Sequence, residues 1–203
     1  MATPKLDKEY YTFEEYLTFD GQTLEKYEYH NGEVVAMSGG SLNHAKIGGN
    51  VVTAFNNALD KLDKNCSATN SELKVYMETI NRSVYPDVML YCEDAAHYKE
   101  KNNIITNPTL IVEVLSKSTK SYDKGLKFEQ YRTLPTFREY MIVYQTIPKV
   151  QTWYKEAENL WRISSAFGLD SAIKLYSLDC TIPLKNIYKR VNDLKEEDDL
   201  FAY

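Results

Sequence analysis

Two carboxylates stand inside apolar runs of this chain. Asp87 lies in Tyr85-Pro-Asp-Val-Met-Leu-Tyr91, and Glu113 lies in Thr109-Leu-Ile-Val-Glu-Val-Leu-Ser116. Runs rich in Ile, Val, Leu and Tyr read as buried strands. A charge within such a strand is costly unless something pairs with it. Two such charges on consecutive strands point to a shared partner, and a divalent metal ion is the obvious one. Held by one or two carboxylates and by substrate phosphate oxygens, it would polarise a phosphodiester and lower the pKa of a water.

A lysine would complete that set by orienting or deprotonating the water, or by stabilising charge on the phosphate. Asp123 reads as the cap of a helix running to about Arg132 and stopped by Leu134-Pro135. Lys124, Lys127, Phe128 and Tyr131 then share one face, since steps of three and four return to the same side. Phe128 and Tyr131 should cover the sheet, and Lys127 should point toward the strand of Glu113. Lys124, one turn nearer the helix start, is the substitute lysine. In the polar link before the helix, Lys117 and Lys120 could extend a basic rim for phosphates. Glu33, starting a strand, and His44, near a helix start, are second-tier contributors.

The elements that must position these groups follow the hydrophobic pattern. Thr12-Phe-Glu-Glu15 has the form of a capping box. Leu24 to His30 and Glu33 to Met37 flank Asn31-Gly32, a hairpin signal. Ser41 can cap a long amphipathic helix on which Ile47, Val51, Phe55, Ala58 and Leu62 recur. A strand over 73–77, a turn at 81–83 and the strand opened by Pro86 come next. The polar stretch 93–107 reads as a loop with a short helix. Strands over 110–115 and 139–144, with a helix between them, allow a right-handed parallel crossover. Segments 149–154, 160–164 and 173–176 form an antiparallel meander, and an acidic tail with Glu196, Glu197, Asp198 and Asp199 begins near Asp193. The expected product is one α/β domain over 1–203 (core about 24–183), a central mixed sheet flanked by helices.

Composition bounds the partners. The 203 residues carry a net charge of -5, which argues against nucleic-acid binding through bulk positive potential but leaves room for a local basic groove. No apolar run suggests a membrane helix, and the N-terminus lacks signal-peptide blocks, so the expected location is cytoplasmic. Cys66, Cys92 and Cys180 lie far apart without a CxxC pair and read as buried free thiols. His30, His44 and His97 show no zinc-ligand spacing.

Tyr85-Pro-Asp-Val88, Leu110-Ile-Val-Glu-Val-Leu-Ser116, Asp123 with Lys127 and Tyr131, and Arg138-Glu-Tyr140 together resemble the Uma-type family of restriction-endonuclease-like proteins, within the PD-(D/E)xK nuclease superfamily. Tyr27-Glu28 with Gly32-Glu33, and the helix opening around His44, resemble its N-terminal half. The likeness runs from about Thr12 to about Pro183. It implies a restriction-endonuclease-like core and a metal-dependent nuclease; the expected activity is that of a magnesium- or manganese-dependent endonuclease favouring DNA over RNA, and a homodimer would supply the two sites that cutting both strands calls for. Asp87 matches the Asp of the PD element, and Glu113 matches the second acidic residue. The superfamily's lysine two positions later is Leu115 here, and Lys127 matches a recurrent lysine of the family that can replace it. Two rivals stand beside this reading: a non-cutting relative that binds nucleic acid or protein, and a metal-free hydrolase using two carboxylates.

Overall fold

The computed structural model describes residues 6, 8–116 and 120–195, with backbone alone at 120 and 121. Lys117, the side chain of Lys120 and the acidic residues 196–199 lie outside the described residues.

Helix α1 (Phe13–Asp20) starts where the capping box predicts: the Thr12 side chain accepts from the Glu15 amide, and Glu15 accepts from the Thr12 amide. The hairpin β1 (Tyr27–His30) and β2 (Glu33–Ala36) turns at Asn31 (φ 50°) and Gly32 (φ 108°). Both central residues have positive φ, as the tight primed turn requires. A β-carbon on Gly32 would also lie 2.1 Å from the Tyr10 ring. Ser41 caps helix α2 (Leu42–Leu62), which buries Ile47, Val51, Ala54, Phe55 and Leu59. Each large side chain so buried contributes about 1.5–3 kcal/mol.

Then come β3 (Cys66–Asn70), β4 (Lys74–Met77), β5 (Arg82–Val84), β6 (Val88–Cys92), β7 (His97–Tyr98), β8 (Lys101–Ile105) and β9 (Leu110–Leu115). Two short helices follow, α3 (Lys120–Lys124) and α4 (Leu126–Tyr131). The chain continues through β10 (Glu139–Tyr144), β11 (Lys149–Ala157), β12 (Leu160–Phe167), β13 (Ala172–Leu175), β14 (Cys180–Pro183) and α5 (Leu184–Ile187).

The strands make two six-stranded mixed sheets, in the orders β2-β1-β5-β4-β8-β7 and β12-β11-β10-β9-β6-β3, with β13-β14 apart. The expected crossover is present: β9 and β10 run parallel, Glu113 opposite Ile142. Side-chain alternation on β9 decides what the site can use. Leu110, Val112 and Val114 join the core beneath α2 and α5. Ile111 and Leu115 turn the other way, into a core shared with Val75, Val84, Tyr131 and Tyr140. Glu113, between Val112 and Val114, shares the Ile111 side. The first sheet therefore lies over the β6–β9 half of the second, with α4 beside it, and α1 covers the far face through Phe13, Tyr16 and Phe19.

The mixed α/β fold is as expected, its strands forming two mixed sheets. Three expectations are corrected. Segment 93–107 holds β7 and β8 rather than a helix, because Ile104 and Ile105 pair with β4 and are buried. Asp123 sits inside α3 instead of capping a helix to Arg132; Gly125, at φ -122° and ψ -90°, separates α3 from α4. Cys66 and Cys92 are not free: they face each other across β3 and β6 and are joined by a disulfide. Only strand pairing brings two cysteines so distant in sequence together. Cys180 is the free thiol.

Candidate active site

The antiparallel β6–β9 ladder pairs Val88 with Val112 and stops there. One residue earlier, the Asp87 carboxylate takes over: its Oδ2 accepts from the Val114 amide at 2.7 Å. Pro86, with no amide of its own, holds the chain extended at this strand entry. The same oxygen lies 3.1 Å from His44 Nε2 in the first turn of α2. Asp87 is thus fixed by β9 on one side and α2 on the other. Its contact with His44 raises the imidazole pKa above the ordinary value, outweighing the opposite pull of burial.

Glu113 is 3% exposed. Lys127 Nζ stands 2.8 Å from its Oε1, and the Tyr131 hydroxyl donates to that oxygen at 2.7 Å. Lys127 and Tyr131 are four residues apart on α4, so one helical face delivers both. Asp123 Oδ1 lies 3.8 Å from the Lys127 ammonium. Burial pushes the Glu113 carboxyl up to about 8, against the attraction of Lys127. Burial also opposes the charge on Lys127, but Glu113, Glu28, Asp123 and Asp87 outweigh it and hold the ammonium protonated. The two shifts compete across one ion pair, since a proton on Glu113 would loosen Lys127. They agree in direction: the cluster retains protons because its carboxylates outnumber its cations.

Glu28 completes the cluster. On β1, Tyr27 and Tyr29 turn toward α1, and Glu28 and His30 turn the other way. Glu28 Oε1 accepts from the Tyr85 amide at 3.2 Å, and Oε2 lies 3.0 Å from His30 Nε2. Burial would raise the Glu28 carboxyl, yet His30, Lys127 and the Tyr85 amide hold it below the usual range.

Glu28, His44, Asp87, Glu113, Asp123 and Lys127 line one cavity of about 590 Å³, walled also by Met37 to Ser41, Tyr85, Tyr122 and Tyr144. Of the residues expected at a site, Asp87, Glu113, Lys127 and His44 converge here. Lys124 stands at the rim, its ammonium bonded to the Tyr144 hydroxyl. Glu33 does not converge: it is exposed, opposite His30 at the hairpin turn. Leu115 lines the cavity as well, but is buried in the core. Glu28 and Asp123 were missed as site residues. The signal for Glu28 was the alternation itself, which sets it beside His30 and away from the buried tyrosines.

The donor set fits a hard divalent cation. Four carboxylates among the described residues line the cavity, and its basic side chains are Lys127 and His44. Among the described residues, no group of three or more His, Cys, Asp or Glu forms a metal cage. Asp87 and Glu113 are the two carboxylates that could hold a hard cation, of the kind that keeps several waters and takes one or two protein carboxylates.

This mixed α/β arrangement of two sheets with few helices is a restriction-endonuclease-like fold. The fold is similar to the crystal structure of a putative nuclease belonging to DUF820 from Anabaena variabilis, with a TM-score of 0.69 over 88% of this chain and 97% of that one, at 15% identity. Residues 13–182 match Uma2, described as "putative restriction endonuclease", and the chain belongs to that family. Two relatives from Synechocystis sp. are similar along most of their length. The uncharacterized protein slr1290 is 34% identical over 87% of this chain and 90% of its own. The uncharacterized protein sll1609 is 31% identical over 80% and 91%. Among the described residues, no helix is long and apolar enough to cross a membrane.

Proposed function

We propose that the protein is a magnesium- or manganese-dependent endonuclease that hydrolyses phosphodiester bonds, with DNA as substrate. One observation carries the reading: Asp87 and Glu113 line the same cavity, and Lys127 reaches Glu113 at 2.8 Å although position 115 is leucine. Asp87 and Glu113 would hold the cation. When bound, it supplies polarisation of the phosphate and a more acidic water. Lys127, kept charged by the surrounding carboxylates, faces the charge that develops on the phosphate. Glu28 holds the Tyr85 amide next to Asp87, and His44 holds the Asp87 carboxylate from the α2 side.

The test is cleavage of supercoiled plasmid by the purified protein with magnesium or manganese, beside Asp87→Ala and Glu113→Ala. Cutting that requires the cation and is lost in both variants supports the reading. No cutting, or cutting that survives both substitutions, overturns it in favour of a non-cutting binder, which the leucine at 115 and the net charge of -5 would suit.

A further inference from the structure

Next to the acidic cavity stands a cluster of opposite sign. Tyr144, at the end of β10, lines the cavity wall. The Lys124 ammonium lies 4.6 Å from its ring centroid, and the Lys149 ammonium lies 5.2 Å from it. Neither lysine forms a salt bridge among the described residues, and what sets the two apart is the Tyr144 ring that both ammoniums approach. The cluster is built rather than loose. The Tyr144 hydroxyl accepts from Lys124 and donates to Gln151 Oε1 at 2.8 Å, and Gln151 Nε2 donates to Ser165 Oγ at 3.1 Å. Beneath it, the buried Tyr188 hydroxyl lies 2.8 Å from the Tyr144 carbonyl and 2.7 Å from the Lys149 carbonyl, which share its one proton. It also accepts from the Lys149 amide at 3.1 Å. One hydroxyl therefore pins both backbones.

We propose that Lys124 and Lys149, organised on Tyr144, each contact a backbone phosphate beside the scissile one and so fix the path of a nucleic-acid strand through the acidic cavity. This rests on the nuclease reading. An anionic strand approaching four carboxylates needs local positive charge, and in a chain of net charge -5 that charge must be concentrated. Lys124 is the better placed of the two for a desolvated contact: burial alone pulls its pKa down, and a phosphate would reverse that. Lysine suits this task because it binds phosphate as a point charge and carries no base specificity.

The experiment is fluorescence anisotropy of a fluorescein-labelled oligonucleotide with chelator present, across a salt series. The proteins are wild type, Lys124→Gln, Lys149→Gln, Tyr144→Phe and the exposed control Lys61→Gln, each with its melting temperature recorded. Each lysine variant should weaken binding several-fold for every sequence tried. Each should also lower the slope of log affinity against log salt by ~0.7–0.9, the value of one phosphate contact. Tyr144→Phe should weaken binding and keep the slope. Slopes equal to that of Lys61→Gln in both lysine variants would overturn the subsite, as would a wild type that fails to bind. Plasmid cutting separates the two ideas. Cutting with unchanged slopes leaves the nuclease and removes the subsite, whereas altered slopes without cutting do the reverse.

Discussion

Lys127 on α4 and Glu113 on β9 form an ion pair of 2.8 Å in which both side chains are almost wholly withdrawn from water. No backbone pairing joins their elements, so the contact depends on α4 lying against the sheet through Phe128 and Tyr131. A buried pair of this kind gives little net stability, but breaking it is expensive. At about pH 9, where Glu113 is ionised, Lys127→Met should therefore destabilise the protein by about 3 kcal/mol, because it leaves Glu113 without its counter-ion. Adding Glu113→Gln should recover most of that loss. Urea denaturation of the two variants checks this, and an equal loss in the double variant would show that the ammonium acts through its other carboxylate neighbours, Glu28 and Asp123, instead.

Position 115 allows a sharper test of what Lys127 does. Leu115 lies two residues beyond Glu113, on the same side of β9, and lines the same cavity. A lysine there could present its ammonium to the same carboxylate from the strand rather than the helix. Leu115→Lys in a Lys127→Met background should restore part of the cutting that Lys127→Met removes, by at least ten-fold over the single variant, or about 1.4 kcal/mol of barrier. Plasmid nicking rates decide it. No recovery in a folded double variant would mean that the helix position itself, and not just an ammonium near Glu113, is required.

The acidic strands, the long helix, the hairpin turn and the parallel β9–β10 crossover were legible because each rests on a local pattern: period two, period three to four, or a turn dipeptide. Asp87 and Glu113 were legible for a related reason, as charges in apolar runs announce themselves. What was hidden depends on pairing between distant segments. The Cys66–Cys92 bridge exists only in the β3–β6 register. The second sheet needs β4 and β8 side by side, although Lys101, Asn102 and Asn103 make β8 look like a loop. Glu33 and Glu28 face the same side of the hairpin, since Glu33 pairs with His30, but Glu33 sits exposed at the turn of the edge strand and only Glu28 lines the cavity.

The proton balance of the cluster gives a pH prediction. The Glu113 carboxyl is raised from its ordinary value of 4.5 to about 8 in the folded state. A group whose folded pKa is raised contributes stability that is present below 4.5 and lost as pH rises through about 8. His44, also raised, adds in the same direction. The metal-free protein should therefore lose stability, on the order of a few kcal/mol, between about pH 5 and pH 9. Magnesium or manganese needs the deprotonated carboxylate. It should raise the melting temperature far more at about pH 8.5 than at about pH 6. Differential scanning calorimetry across pH, with and without cation, measures both arms. A stabilisation by cation that does not grow with pH would remove Glu113 from the ligand set.

Glu28 and Glu33 make a matched pair of substitutions. Glu33 is exposed on the hairpin, so Glu33→Ala should change stability by less than about 0.5 kcal/mol and leave plasmid cutting intact. Glu28→Ala leaves the Tyr85 amide and His30 without their acceptor. It also removes one of the charges that keep Lys127 protonated. It should cost about 1–3 kcal/mol in stability and cut the rate well beyond what that loss explains. Rates compared at temperatures where both variants stay folded distinguish the two effects. Equal activity of the two variants would return Glu28 to a purely structural role.

His44 can be moved without touching it. A β-carbon on Gly40 would lie 2.9 Å from His44 Nδ1, closer than side chains pack, and Gly40 itself is exposed. In Gly40→Ala the imidazole is the softer partner and should swing away from Asp87, breaking the 3.1 Å contact. The fold should survive, with a stability change below about 1 kcal/mol. The His44 pKa should fall back toward 6.5, because the contact with Asp87 is the largest cause of its elevation. NMR titration can follow this directly, since the chain has just three histidines, His30, His44 and His97. Asp87 would keep its bond from the Val114 amide, so cutting should weaken without vanishing and its pH profile should shift toward acid. A His44 pKa that stays high in Gly40→Ala would mean that the ring keeps its place, and the loop at 38–41 would lose its role in aiming it.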